Sequence, residues 1–165
     1  TCTAPSKTFN IASMMISNIF IPNRELKAKF RAQLDAAGIS QLNVLGLVAC
    51  EAAYAHGEEW YEAMHAYVAD NIAFTKEYVE KQLPGVSMVD HEGTYLVWLD
   101  FRKTGLSVDE LEDLIVHRAK LWLDSGKIFG GCGKGFQRIN VACPRATLQE
   151  ALDRIKTALQ ESEAQ

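Results

Sequence analysis

Between Thr1 and Asn23 the chain carries a single charged side chain, Lys7. Small and hydroxylated residues lead up to it, Phe9 and Asn10 follow, and the run closes on Pro22-Asn23. Its apolar stretches are interrupted by Ser13, Ser17 and Asn18, and Pro22 stops a helix from crossing it. Residues 1 to 23 are therefore expected to be extended or irregular. The surroundings of Lys7 are chemically distinctive, because desolvation disfavours an ammonium and leaves more free amine as nucleophile or base.

Beyond this segment the chain alternates helix and strand signals. Asn23 is placed to cap a helix from Arg24 to about Ala37, with Leu26, Phe30 and Leu34 four apart on one face and Gly38 after its end. A second helix is expected from about Gln41 to Ala55. It is apolar on most sides and so reads as buried between other elements. A third should run from Glu58-Glu59 to Leu83, before Pro84-Gly85, with Trp60, Met64, Tyr67, Val68, Tyr78 and Val79 as a core-facing stripe. Val86–Val89 and Thr94–Phe101 read as strands, the second apolar almost throughout. Ser107-Val108-Asp109-Glu110 is a capping box opening a helix whose face runs through Leu111, Leu114, Ile115, Arg118 and Trp122. Lys127-Ile128-Phe129 reads as a short strand and Arg138–Ala142 as another, ended by Pro144. Thr147-Leu148-Gln149-Glu150 is a second capping box opening a terminal helix, whose last residues, Glu161 to Gln165, should fray. Strands interleaved with helices predict an α/β layer, a small sheet with helices packed on it. There is no internal repeat and no low-complexity linker.

A length of 165 residues suits one domain with a sizeable core, and 48% hydrophobic with 23% charged residues is ordinary for a folded protein. A formal charge of -4 gives no basic footprint and argues against nucleic acid as a partner. No apolar run approaches the roughly 18 residues that a membrane span needs. Cysteines 2, 50, 132 and 143 show no Cys-x-x-Cys spacing, and the four histidines are scattered, so no metal site is expected. Reduced thiols and a cytoplasmic setting fit this usage. The abrupt start at Thr1, without a signal peptide or initiator Met, is expected to mark a piece of a longer protein. The Gly-rich stretch Gly130-Gly131-Cys132-Gly133-Lys134-Gly135 fits neither a Walker loop nor a Gly-x-Gly-x-x-Gly frame, and reads as a turn that positions Arg138.

Ala4-Pro5-Ser6-Lys7-Thr8-Phe9-Asn10-Ile11-Ala12, followed by Ser17-Asn18-Ile19-Phe20-Ile21-Pro22-Asn23, resembles the cofactor-lysine segment of pyridoxal-phosphate (PLP) enzymes of the class I/II aminotransferase superfamily. Asn71 ahead of a long amphipathic run, Glu92–Asp100, and Gly135-Phe136-Gln137-Arg138-Ile139-Asn140-Val141-Ala142-Cys143-Pro144-Arg145 follow in the same order. The likeness covers nearly the whole chain and is strongest to the cystathionine β-lyase-like C–S lyases. It implies the small C-terminal domain of a fold-type-I PLP enzyme together with the tail of its large domain. Residues 1-45 would be the end of the PLP-binding domain, and 46-165 the interdomain helix and small domain.

In site terms, the resemblance implies that Lys7 is the catalytic residue, covalently holding pyridoxal 5'-phosphate and later taking the substrate's α-proton. Ser6 would lend its hydroxyl to the cofactor phosphate. Arg138 would grip the carboxylate of a small amino-acid substrate, its planar fork suited to a bidentate pair. Tyr95, after Gly93-Thr94, reads either as lining the substrate side or as a core tyrosine, and Arg145, which also matches the family, reads as structural. The family also implies a homodimer. Its β-lyase branch releases thiol, pyruvate and ammonia; the rival readings are an aminotransferase and a non-catalytic substrate-binding or assembly module. Two departures stand out. Ser13-Met14 replaces the Gly-Leu of many relatives, and Met15 stands where aminotransferases often place a phosphate-binding arginine. The family's pyridinium aspartate, ring-stacking aromatic and phosphate loop all precede the lysine, so the 165-residue chain alone is expected to have little turnover.

Overall fold

In a computed structural model of the chain, which describes residues 1 to 163, Asn23 caps the first long helix as its side chain predicts. Its Oδ1 accepts from the Leu26 amide at 3.0 Å, and α1 runs over Arg24–Ala36. Gly38 follows at φ +68°, the left-handed position where glycine ends helices at little cost. Ahead of α1 the expected irregular segment closes on itself. Strand β1 (Cys2–Thr3) pairs antiparallel with β2 (Asn18–Ile19), and Thr1 and Phe20 exchange two main-chain bonds beyond them.

Helix α2 covers Val44–His56, starting three residues later than its apolar run suggests because Asn43 provides the cap, its Oδ1 accepting from Leu45. The expected burial of α2 is not met. Gly46 and Cys50 are its buried residues, while Val44, Leu45 and Val48 lie exposed. The reason is local: Gly46 meets the main chain at Met14, Cys50 sits beside Asn18, and the sheet described in the unit Thr1–His65 is the two-residue pairing of β1 with β2, too small to cover the other sides. Nothing on α1 is buried either.

Helix α3 spans Glu58–Gln82 and carries the boundary between the two compact units, Thr1–His65 and Ala66–Gln165. The predicted core stripe is realised from Val68 onward, where Val68, Tyr78 and Val79 are buried; Trp60 and Tyr67 are exposed.

The second unit is built on a four-stranded antiparallel sheet, β3 (Ser87–Met88), β4 (Leu96–Asp100), β5 (Asp124–Ser125) and β6 (Phe136–Asn140), in the spatial order β3-β4-β6-β5. Strand β6 lies two residues earlier than its alternation predicts, because Phe136 already pairs with Asp100. Val97, Leu99, Gln137 and Ile139 alternate onto the buried face, while Trp98, Phe136 and Arg138 take the other. The buried face joins a core of Val79, Leu83, Leu111, Leu114, Ile115, Leu148, Leu152 and Ile155, drawn from α3 and the two helices that follow. Each fully buried aliphatic side chain there contributes about 1.5–3 kcal/mol.

Helix α4 (Val108–Asp113) opens with the predicted capping box, both halves formed between Ser107 and Glu110. It then widens into a π turn over Leu114–Arg118, with the Ala119 amide donating to Leu114. Lys120 at φ +55° ends the element, so Trp122 leaves the predicted helix face and is 91% exposed. Lys127–Phe129 is no strand but part of a 3-10 turn, Gly126–Phe129. The strand lies just before it, because Gly126 and Gly133 approach backbone to backbone and fold the chain over. Helix α5 (Arg145–Glu163) starts directly after Pro144, with Leu148 donating to the Pro144 carbonyl. The Thr147–Glu150 box is thereby inside the helix and does not form. The helix continues through Glu163, so the fraying expected from Glu161 is not seen as far as that residue; 164 and 165 lie outside the described residues.

Candidate functional site

Lys7 sits on a turn that the sequence anchors from both sides. The Phe9 amide donates to Pro5 at 2.9 Å and the Ile11 amide to Ser6 at 3.1 Å, with Asn10 in the left-handed region that asparagine tolerates. Pro5 is buried, and Phe9 plugs into an aromatic nest from the end of α2 and the start of α3. Its ring lies 5.8 Å from Tyr54 edge-on, 5.9 Å from Trp60 stacked and 6.4 Å from Tyr61. Gly57 permits this approach: a Cβ there would stand 2.5 Å from the Phe9 ring.

With Pro5 and Phe9 turned inward, Lys7 points out. The desolvated setting expected for it is absent within this unit, where the residue is exposed. Among the described residues no carboxylate pairs with its Nζ and no hydrogen bond holds it. The neighbouring Ser6 is half-buried, and its hydroxyl is likewise unclaimed. An uncommitted primary amine suits an aldehyde, and an uncommitted hydroxyl suits a phosphate oxygen, so this pair fits pyridoxal phosphate.

In the second unit Arg138 stands mid-strand on β6, across from Trp98 on β4 and Asp124 on β5. Its Nε and Nη2 both donate to Asp124 Oδ2, at 3.1 and 2.6 Å. Its Cζ lies 4.6 Å above the Phe129 ring centroid, and Trp98 meets Phe129 edge-on at 5.0 Å. Arg138, Asp124, Trp122, Asn140 and Thr147 line an open depression of about 310 Å³. Tyr95, half-buried, immediately precedes β4; its carbonyl accepts from Val141 at 3.0 Å, and it shares no hydrogen bond with Arg138.

Behind Arg138, the buried Gln137 donates to Glu112 at 3.0 Å, and Lys127 pairs with the same carboxylate at 2.9 Å. Burial pushes the Glu112 carboxyl upward. Hydrogen bonds from Ser125, Lys127 and Gln137, with the Lys127 charge, outweigh it and hold the group below the usual range. This clasp fastens the Gly-rich turn to α4. Arg145 is structural, as expected: Nε donates to Asn71, the amide to the Tyr67 hydroxyl, and the guanidinium covers Phe74. The four cysteines are unpaired.

Lys7 and Ser6 thus belong to the first unit, Arg138 and Tyr95 to the second. The sequence reading missed Asp124 and Phe129, both hidden by the misplaced strand at Lys127–Phe129. It also missed Phe9, whose nest combines residues far apart in the chain.

No family model matches the chain. Cystathionine β-lyase PatB of Bacillus subtilis is 43% identical over 159 residues, 96% of this chain and 41% of that protein. Cystalysin from Treponema denticola, solved with a pyridoxal 5'-phosphate cofactor, superposes with a TM-score of 0.93 at 38% identity, covering 98% of this chain and 41% of its own. The PLP-bound C–S lyase from Staphylococcus hominis gives a TM-score of 0.84 at 33% identity, covering 96% and 40%. The chain therefore spans about two-fifths of the length of these relatives and matches their C-terminal portion.

Proposed function

We propose that the chain, similar over nearly its whole length to cystathionine β-lyase-like C–S lyases of the aminotransferase fold, belongs with these PLP enzymes and carries the cofactor lysine and the substrate-carboxylate arginine of such an enzyme. The reaction is β-elimination on a small S-substituted cysteine, releasing thiol, pyruvate and ammonia. The observation that carries this reading is Lys7, an uncommitted amine on an anchored turn inside the Ala-Pro-Ser-Lys-Thr-Phe-Asn context.

When bound, pyridoxal phosphate supplies an electron sink for the pair left as the substrate's Cα–H bond breaks. Lys7 Nζ would hold the cofactor covalently and, once free, would accept the substrate's α-proton as general base. The Ser6 hydroxyl would donate to the cofactor phosphate. Arg138 binds the substrate carboxylate and so orients the Cα–H bond, with Tyr95 lining the same side. The β-sulfur leaves as a thiolate and takes up a proton to become the thiol, and the released 2-aminoacrylate tautomerises and takes up one water to give pyruvate and ammonia.

In this reading residues 1 to 45 end the large domain, and 46 to 165 form the interdomain helix and small domain. The exposed apolar faces of α1 and α2 are covered by the remainder of the full-length enzyme and by a partner subunit in a homodimer. Unpaired cysteines agree with a cytoplasmic setting.

Borohydride reduction of the full-length holoenzyme, followed by peptide mapping, tests the assignment: the pyridoxyl group should be found on Lys7. A label elsewhere, or none, would leave a non-catalytic module as the better reading. Cystathionine supplied without a 2-oxo acid should yield pyruvate and thiol; turnover only with the oxo acid would make the protein an aminotransferase.

A further inference from the structure

A guanidinium offers a carboxylate two edges, a side edge formed by Nε and one Nη, and an end edge formed by both Nη atoms. Asp124 occupies the side edge alone. Both of its bonds from Arg138 converge on the single oxygen Oδ2, and Nη1 has no partner among the described residues. The Phe129 ring lies under Cζ at 4.6 Å and is braced by Trp98, which meets it edge-on. One contact therefore holds the group by its side edge, and the other packs against its face.

The ladder itself builds this clamp. Asp124 stands directly across from Arg138 in the pairing of β5 with β6, and the next pair, Ser125 with Gln137, is tied to Glu112. The side chains of Arg138 and Asp124 are 24% and 46% exposed, and an ion pair this open adds little to folding. Its main consequence is orientation.

We infer that Asp124 is a positioning residue for the substrate's carboxylate: it holds Arg138 by the side edge, so that the end edge is presented to the amino acid. The inference rests on Arg138 being the carboxylate-binding residue, as proposed above. It deepens that reading by naming what sets the preference for a free α-carboxylate. Two parallel N–H donors match two carboxylate oxygens, whereas a carboxamide offers only one acceptor. Asp124 also has an opposing effect, since its own negative charge repels an arriving carboxylate. Loss of alignment and loss of repulsion move KM in opposite directions, so the sign of the change identifies the role.

The experiment compares Asp124→Ala, Asp124→Asn and Arg138→Lys in the full-length holoenzyme, with S-ethyl-L-cysteine and its α-carboxamide as substrates and released ethanethiol as the readout. Asp124→Ala should raise KM for the acid about tenfold with kcat within about twofold, and shrink the acid-over-amide preference by a similar factor. Asp124→Asn keeps an acceptor oxygen on the side edge and should restore most of that preference. Asp124→Ser takes the place of the alanine variant if the latter does not fold. An unchanged or lowered KM in Asp124→Ala, or an asparagine variant no better than alanine, overturns the inference. Arg138→Lys separates the two levels. If it raises KM while Asp124→Ala does not, only the role of Asp124 fails; if Arg138→Lys leaves KM unchanged, the assignment of Arg138 fails and takes this inference with it.

Discussion

Arg145 donates its Nε hydrogen to Asn71 Oδ1 at 2.7 Å, completing a set of bonds around a fully buried amide. The Asn71 side-chain nitrogen donates to the carbonyls of Val141 and Cys143, at 2.8 and 2.9 Å. These bonds tie α3 to the point where β6 ends and α5 begins. Asn71→Ala leaves two carbonyls and a guanidinium without their partner, each worth about 1–3 kcal/mol when left unsatisfied. With partial relaxation the variant should lose about 3 kcal/mol, read as a lower urea midpoint at an unchanged slope.

The Glu112 clasp predicts an acid-side effect. Its folded pKa lies below the ordinary 4.5, because three hydrogen bonds and the Lys127 charge outweigh burial. The folded chain therefore binds fewer protons than the unfolded chain in this range, and the clasp's contribution is fully present above the unfolded value. It is lost as pH falls through 4.5 toward the lower folded pKa. Glu112→Gln should flatten the fall in stability across that window and leave the slope above about pH 6 unchanged, as measured by urea titrations at several pH values.

The close approach of two glycines sets another limit. A Cβ at Gly126 would stand 2.0 Å from the Gly133 carbonyl oxygen and 2.8 Å from that of Phe136. Both obstacles are backbone, so the turn itself must open. Gly126→Ala should cost about 2 kcal/mol or more. It should also broaden the amide resonances of residues 126 to 135, whereas Gly131→Ala, where a Cβ meets nothing within 4 Å, should leave them sharp.

Trp122 provides the opposite case. The helix period places it on a core face, yet it is 91% exposed. Trp122→Gln should shift stability by less than about 0.5 kcal/mol, detectable as an unchanged Tm beside a loss of red-shifted fluorescence.

Much of the fold was legible because local chemistry dictated it. Asn23 and the Ser107–Glu110 pair announced helix starts that the structure contains, and the alternation of Arg138 to Ala142 marked a strand that lies two residues earlier, at Phe136–Asn140, with one buried face. Errors arose where distant residues decide. Thr147–Glu150 has the form of a capping box, but Pro144 starts the helix earlier, and the apolar α2 lies open because burial depends on what surrounds it. Lys7 and Arg138 could be singled out from their motifs. Asp124 could not, since its importance lies in cross-strand register, which no short window of sequence contains.

The widened turn at Leu114–Arg118 has a consequence for how this stretch tolerates change. Asp113 and Arg118 form an ion pair five positions apart, a spacing that falls on opposite sides of an ordinary α-helix but on one side of the wider coil. The segment thus holds one more residue than the same rise would need if wound tightly. Excision of a single amino acid here would rewind the coil, whereas the same excision one turn earlier would rotate Leu111 and Leu114 out of phase with the core they fill.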